Sequence, residues 1–119
     1  MYSELLLEHF KNPRNVGELE DPAVRVTAEN PICGDTLRLA VRWQEARVAE
    51  VRYKVRGCTA SIAAGSALSE WMQGRTRAEL QGLNAAAVEE LVGGLSNESK
   101  HVAVLMVDGV KALLRASVP

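Results

Sequence analysis

The sequence predicts an α+β domain, a three-stranded antiparallel sheet with helices packed on one face. Two observations carry this. Three segments between Val24 and Arg56 alternate apolar and polar residues with period two, the mark of strands with one buried and one solvated face. After Cys58 the apolar residues recur at helical spacing instead. Strands first and helices afterwards, without βαβ alternation, place the helices on one face of the sheet. At 119 residues the chain is the size of one domain, 1–119, and a hydrophobic content of 47% supports a real core although aromatics are only 4%.

Taken in order, Tyr2 to Phe10 reads as a short helix, with Leu6 and Phe10 at i, i+4 and Ser3 as N-cap. Asn12-Pro13-Arg14-Asn15-Val16-Gly17 breaks it, because the residue before a proline is pushed out of the α region and the glycine adds a turn. Leu19 to Pro22 continues as loop. In the strands, Val24 and Val26 alternate with Arg25 and Thr27, and Leu37, Leu39, Val41 and Trp43 with Arg38, Ala40 and Arg42. After a Gln44-Glu45-Ala46-Arg47 turn, Val51, Tyr53 and Val55 alternate with Glu50, Arg52, Lys54 and Arg56. The cationic row so formed includes Glu50 and no interleaved aromatics, so it reads as a solvated sheet face. Thr59 to Gln73 reads as a helix ending at Gly74, with an apolar stripe of Ala64, Leu68, Trp71 and Met72 and small residues at its start that allow close packing. Short helices follow at Thr76–Leu80 and Asn84–Leu91, the second capped by Asn84 and stopped by Gly93-Gly94. The last helix runs from about Ser99 to Ala116, with Val102, Leu105, Gly109 and Leu113 on one face and Val110 and Leu114 beside it.

A formal net charge of −1 argues against a nucleic-acid or membrane-surface partner, and no apolar run approaches the roughly 18 residues that span a bilayer. The leucines near Met1 are flanked by acidic residues, not preceded by a basic region, so this stretch does not read as a signal peptide and a cytoplasmic protein is expected. In a reducing compartment the two cysteines are expected as thiols or metal ligands. Each lies beside a glycine, in Cys33-Gly34-Asp35 and Gly57-Cys58, where the backbone can approach a bound group closely. Cys58 falls at a strand-to-helix junction, and the positive end of a helix dipole favours thiolate, the form that binds metal and attacks sulfur. Cys33 and Asp35 fall in the loop entering the second strand, so the intervening hairpin returns Cys58 to the same sheet edge. With His101 in the first turn of the last helix, the chain offers two thiolates, a carboxylate and an imidazole. His9 has no such support and reads as an ordinary helix residue.

On these residues the chain resembles the U-type iron–sulfur cluster assembly scaffolds, the IscU and NifU N-terminal domain family. The resemblance spans nearly the whole chain: Tyr2-Ser3-Glu4, His9-Phe10-Lys11-Asn12-Pro13-Arg14-Asn15-Val16-Gly17, Cys33-Gly34-Asp35, Gly57-Cys58, Ser69-Glu70-Trp71, Gly74, Lys100-His101 and Asp108 to Lys111. It implies a scaffold, not an enzyme, that holds a 2Fe–2S cluster or iron, with zinc possible at the same ligands. It further implies a cysteine desulfurase as sulfur donor, apo iron–sulfur proteins as recipients, and a possible homo-oligomer. The implied ligands are Cys33, Asp35, Cys58 and His101. The family's third cysteine, which follows the histidine, is Val102 here, and Gly94-Leu95-Ser96-Asn97-Glu98-Ser99 replaces its proline-containing chaperone-recognition segment. Two other readings stand beside the scaffold: a degenerate binding module that regulates a desulfurase, and a zinc-dependent relay in which Cys58 accepts sulfane sulfur.

Overall fold

A computed structural model describes residues 2–117; Met1, Val118 and Pro119 of the expected 1–119 domain lie outside the described residues. Strands β1 (Val24–Glu29), β2 (Thr36–Gln44) and β3 (Arg47–Arg56) form one antiparallel sheet in that order. The register explains the alternation. Rows such as Val24–Val41–Val51 and Val26–Leu39–Tyr53 are apolar throughout, whereas Arg25–Ala40–Arg52 and Thr27–Arg38–Lys54 form the opposite face. The cationic row is a solvated face tied to acids, as expected: Glu18 lies 3.8 Å from Arg38 and 3.7 Å from Lys54, and Glu50 pairs with Arg42 and Arg52. The β2–β3 turn has positive φ at both Glu45 and Ala46, the primed-turn conformation that suits strand twist although neither residue is glycine or asparagine.

Helix α1 spans Glu4–Lys11 where Tyr2 to Phe10 was expected, and Ser3 takes the expected cap, accepting the Leu6 N–H at 2.9 Å. Helix α2 (Thr59–Met72) follows β3 directly. Helix α3 (Arg77–Gln81) starts on a Thr76–Glu79 capping box, and α4 (Ala85–Leu91) on the Asn84 side chain. A single 3-10 turn at Asn97–Ser99, which the sequence reading did not anticipate, leads into α5 (Lys100–Ala116). Its expected face of Val102, Leu105, Gly109, Val110, Leu113 and Leu114 is buried. Helix α5 covers β1 and β2, α2 packs against β3, α4 and α5, and α1 lies on α2. Among the described residues no helix is long and apolar enough to cross a membrane.

The single stripe expected of α2 is too narrow. Ala60, Ser61, Ala63 through Ser69 and Met72 are all buried, since small side chains let the sheet and three helices close around this helix; Trp71 is only half-buried, under the Arg75 guanidinium. Gly65 sets the closest approach, because a Cβ there would lie 2.4 Å from Tyr53 Cε2. The Tyr53 hydroxyl donates to Ile62 O at 3.1 Å, and burial pushes its phenol up to about 12.

Helix α1 corrects the reading of His9. Phe10 stays exposed, and the residues facing inward are Leu6 and His9. The His9 ring meets Ser66 Oγ at 2.7 Å and Arg14 Nη1 at 3.1 Å through the same nitrogen, Nδ1. A guanidinium only donates, so Nδ1 accepts and the ring is neutral. The Asn-Pro-Arg-Asn segment packs along α2: Arg14 N–H donates to Ser66 Oγ at 2.9 Å and Asn15 Nδ2 to Ser69 Oγ at 3.1 Å. Asn15 O accepts the Tyr53 N–H and Gly17 N–H donates to Tyr53 O, both at 3.0 Å, occupying part of the free edge of β3.

Two expectations follow. Replacing a helical glycine by alanine ordinarily gains about 1 kcal/mol, but Gly65→Ala is expected to lose about 1–3 kcal/mol through overpacking against Tyr53; a urea midpoint above wild type would contradict that packing. Burial, then the Arg14 charge, lowers the His9 pKa below its ordinary 6.5. Its contribution to stability is therefore complete above the unfolded-state value and declines as pH falls from there through the folded-state value. His9→Gln should flatten urea midpoints measured between about pH 7.5 and 5.5; parallel curves for the two proteins would refute the assignment.

Candidate functional site

The sheet end where β2 begins and β3 finishes gathers the residues singled out above. Thr36 pairs with Arg56, so Asp35, one residue before, faces Gly57 and Cys58, one and two residues beyond. The loop carrying Cys33 is shaped by Asn30, whose Oδ1 accepts the Ile32 N–H at 2.9 Å and the Cys33 N–H at 3.3 Å. Gly34 adopts φ +78 and donates its N–H to Asn30 O at 2.8 Å, a turn that a side chain at Gly34 would strain. Cys58 is the N-cap of α2, and its carbonyl accepts the Ile62 N–H at 3.2 Å. His101 stands in the first turn of α5, whose start is held by Lys100 Nζ on Glu89 at 2.8 Å.

Asp35 is at the centre. It is 8% exposed, whereas Cys33 and Cys58 face solvent and His101 is half-buried. Its Oδ2 accepts the hydroxyl of Ser61, lies 3.5 Å from Cys58 Sγ and is 3.7 Å from His101 Nε2. Burial raises the carboxyl pKa, but hydrogen bonds from Ser61, from the Cys58 thiol and backbone, and from Cys33 outweigh it, and the group is held below its ordinary value. Gly57 makes this possible: a Cβ there would sit 2.6 Å from the Asp35 Cγ.

One ligand atom each from Cys33, Asp35 and His101 lies within 4.8 Å of the others. Cys58 stands outside that trio but against it, its sulfur 3.5 Å from Asp35 and 3.1 Å from Ser61 Oγ. Tetrahedral zinc bonds of about 2.0–2.3 Å put ligand atoms about 3.3–3.8 Å apart, so small side-chain rotations bring these donors into range. Two soft sulfurs, an imidazole and a carboxylate suit zinc or iron rather than magnesium or calcium. Val102, where a third thiol was missing from the sequence, is wholly buried in the core. Ser61 and Asn30 were missed. The signal for Ser61 was its i+3 spacing from Cys58, and for Asn30 the Asn-Pro pair preceding Cys33.

Comparison with known proteins converges on the same family. The NifU-like N terminal domain family matches residues 1–116. The IscU iron–sulfur cluster assembly scaffold of Azotobacter vinelandii is 39% identical over 119 residues, covering 96% of this chain and 91% of that protein. An IscU scaffold of Archaeoglobus fulgidus is 35% identical over 111 residues, covering 93% of this chain and 72% of that one. Among solved structures, a SufU protein assigned to SUF-system cluster assembly in Fervidobacterium islandicum superposes with a TM-score of 0.76 at 19% identity, covering 95% and 96% of the two chains. A NifU-like N-terminal domain of Brucella abortus gives 0.62 at 18% identity, covering 97% and 81%. At those identities the structures speak for the fold, and the sequence matches for kinship. A shared fold, a match along almost its whole length and relatives above 30% identity make this chain a member of the NifU-like N-terminal domain family, to which it is joined by its IscU relatives.

Proposed function

We propose that the protein is an iron–sulfur cluster assembly scaffold that carries a 2Fe–2S cluster, iron or zinc as cargo on Cys33, Asp35, Cys58 and His101. The observation that supports it most is the meeting of these donors around one buried carboxylate at an open sheet end. Each residue has a distinct part. Cys33 and Cys58 offer soft, accessible sulfur. Asp35 supplies a negative charge fixed in direction by its hydrogen bonds, and His101 a nitrogen donor from a separate helix. Replacing thiolate by carboxylate or imidazole weakens cluster ligation, which suits a carrier that must release what it holds. Sulfur would come from a cysteine desulfurase, cluster would pass to apo-proteins, and the protein itself would act as carrier, not enzyme.

A second reading rests on the exposure of Cys58 and its place outside the three-atom group. In that reading zinc organises the site, and the Cys58 thiolate attacks the outer sulfur of a desulfurase persulfide. The products are a Cys58 persulfide and the free desulfurase thiolate.

Anaerobic reconstitution with iron, cysteine and a desulfurase, followed by metal analysis and visible spectroscopy, tests the scaffold. Wild type should develop thiolate-to-iron absorption, and Cys33→Ala, Asp35→Ala, Cys58→Ala and His101→Ala should each lose most of it. Full metal content in all of these variants would sink the assignment. A colourless wild type holding stoichiometric zinc and gaining about 32 Da on desulfurase turnover, one sulfur atom, would select the relay. Gly57→Ala is a separate probe: by displacing Asp35 it should weaken metal binding about 10- to 100-fold while far-ultraviolet circular dichroism stays unchanged. Wild-type affinity in that variant would show that the carboxylate position does not matter.

A further inference from the structure

The three buried serines of α2 are not equivalent. Ser66 and Ser69 hold the N-terminal segment through His9, Arg14 and Asn15. Ser61 is equally inaccessible, at 0% exposure, yet the side chains its hydroxyl reaches are those of Asp35 and Cys58. Unlike Ser66 and Ser69, Ser61 makes no side-chain hydrogen bond to the N-terminal segment among the described residues. Its geometry is nonetheless tightly set. Ser61 lies one helical turn from Cys58, its Oγ 3.1 Å from that sulfur, and it donates to the Asp35 oxygen that also lies nearest Cys58 and His101.

We propose that Ser61 is a positioning residue of the cargo site, a hydroxyl that aims the Asp35 carboxylate and hydrogen-bonds the Cys58 sulfur. This inference rests on the scaffold reading above. A hydroxyl has one proton and two lone pairs. Unloaded, that proton goes to Asp35. Once a metal draws on the carboxylate charge, the same proton is within reach of the Cys58 thiolate, without any backbone movement. Outer partners of this kind orient metal ligands, and hydrogen bonds to ligating sulfur tune its donor strength. Asp35 is thereby held from two points at the start of α2, the Cys58 sulfur 3.5 Å away and the Ser61 hydroxyl.

Cobalt(II) is the probe, since its visible bands report ligand geometry and sulfur donation. Wild type, Ser61→Ala and Ser69→Ala are titrated with cobalt in competition with a chelator, spectra are taken at saturation, and the Asp35 side-chain rotamer is read by NMR in the metal-free proteins. Ser61→Ala is expected to bind about 10- to 100-fold more weakly, to shift the sulfur-to-cobalt and d–d bands, and to average the Asp35 rotamer. Ser69→Ala should lower the unfolding midpoint and leave affinity and spectrum at wild-type values. Wild-type affinity and bands in Ser61→Ala would overturn the inference while leaving the scaffold reading intact. A wild type that binds no cobalt, iron or zinc would instead overturn the scaffold reading, and this inference with it.

Discussion

The close approach of α2 to β3 is the constraint on which the remaining geometry depends. Gly65 lets the helix axis come within contact of the Tyr53 ring, and the phenol hydroxyl closes on the Ile62 carbonyl. Because α2 begins immediately after β3, this contact fixes how the helix leaves the sheet. The first turn, with Cys58 and Ser61, is thereby brought over the mouth of the β2–β3 hairpin. A bulkier residue at position 65 would push the helix outward, and the displacement would be felt at the sulfur.

Around that mouth the electrostatics are economical. A buried carboxylate costs free energy unless its oxygens are satisfied, and Asp35 is satisfied by residues that are themselves donors or neighbours of donors. The hydrogen bonds that keep Asp35 ionised also aim it. Gly57 contributes by leaving space, and Asn30 and Gly34 by setting the loop that presents Cys33. The thiols remain open to solvent. The second polar cluster, His9 with Ser66, Arg14 and Asn15, does not touch this chemistry. It fastens α1 and the following segment to the opposite part of the same helix, so one helix organises both the site and the N-terminal packing.

Much of this is legible in the sequence. The alternation in β2 and β3 gave the strands and their buried face, because period-two patterning has few other physical causes. Ser3 and Asn84 announced helix starts through their capping chemistry, although the first helix begins two residues later than expected. Cys33, Asp35 and Cys58 were legible as neighbours because a hairpin of continuous register must return its ends to one edge. His9 was misread, since nothing local distinguishes a buried, neutral histidine from a solvated one. The width of the buried surface on α2 was misread for a similar reason: alanine, serine and glycine carry little hydrophobic signal, and their value lies in what they allow to approach.

By itself, then, the sequence determined the fold class, the strands and most helix boundaries through local periodicity and capping, and its motifs carried the resemblance that implied the family and four candidate ligands. The tertiary structure alone decided that Asp35 is the buried hub, that Cys58 stands beside the other three donors instead of among them, and that Ser61 faces the site. Those facts depend on distances of a few ångströms between segments 20 to 70 residues apart. They are set by how closely helices and sheet approach, a property of packed volume that no single stretch of chain contains.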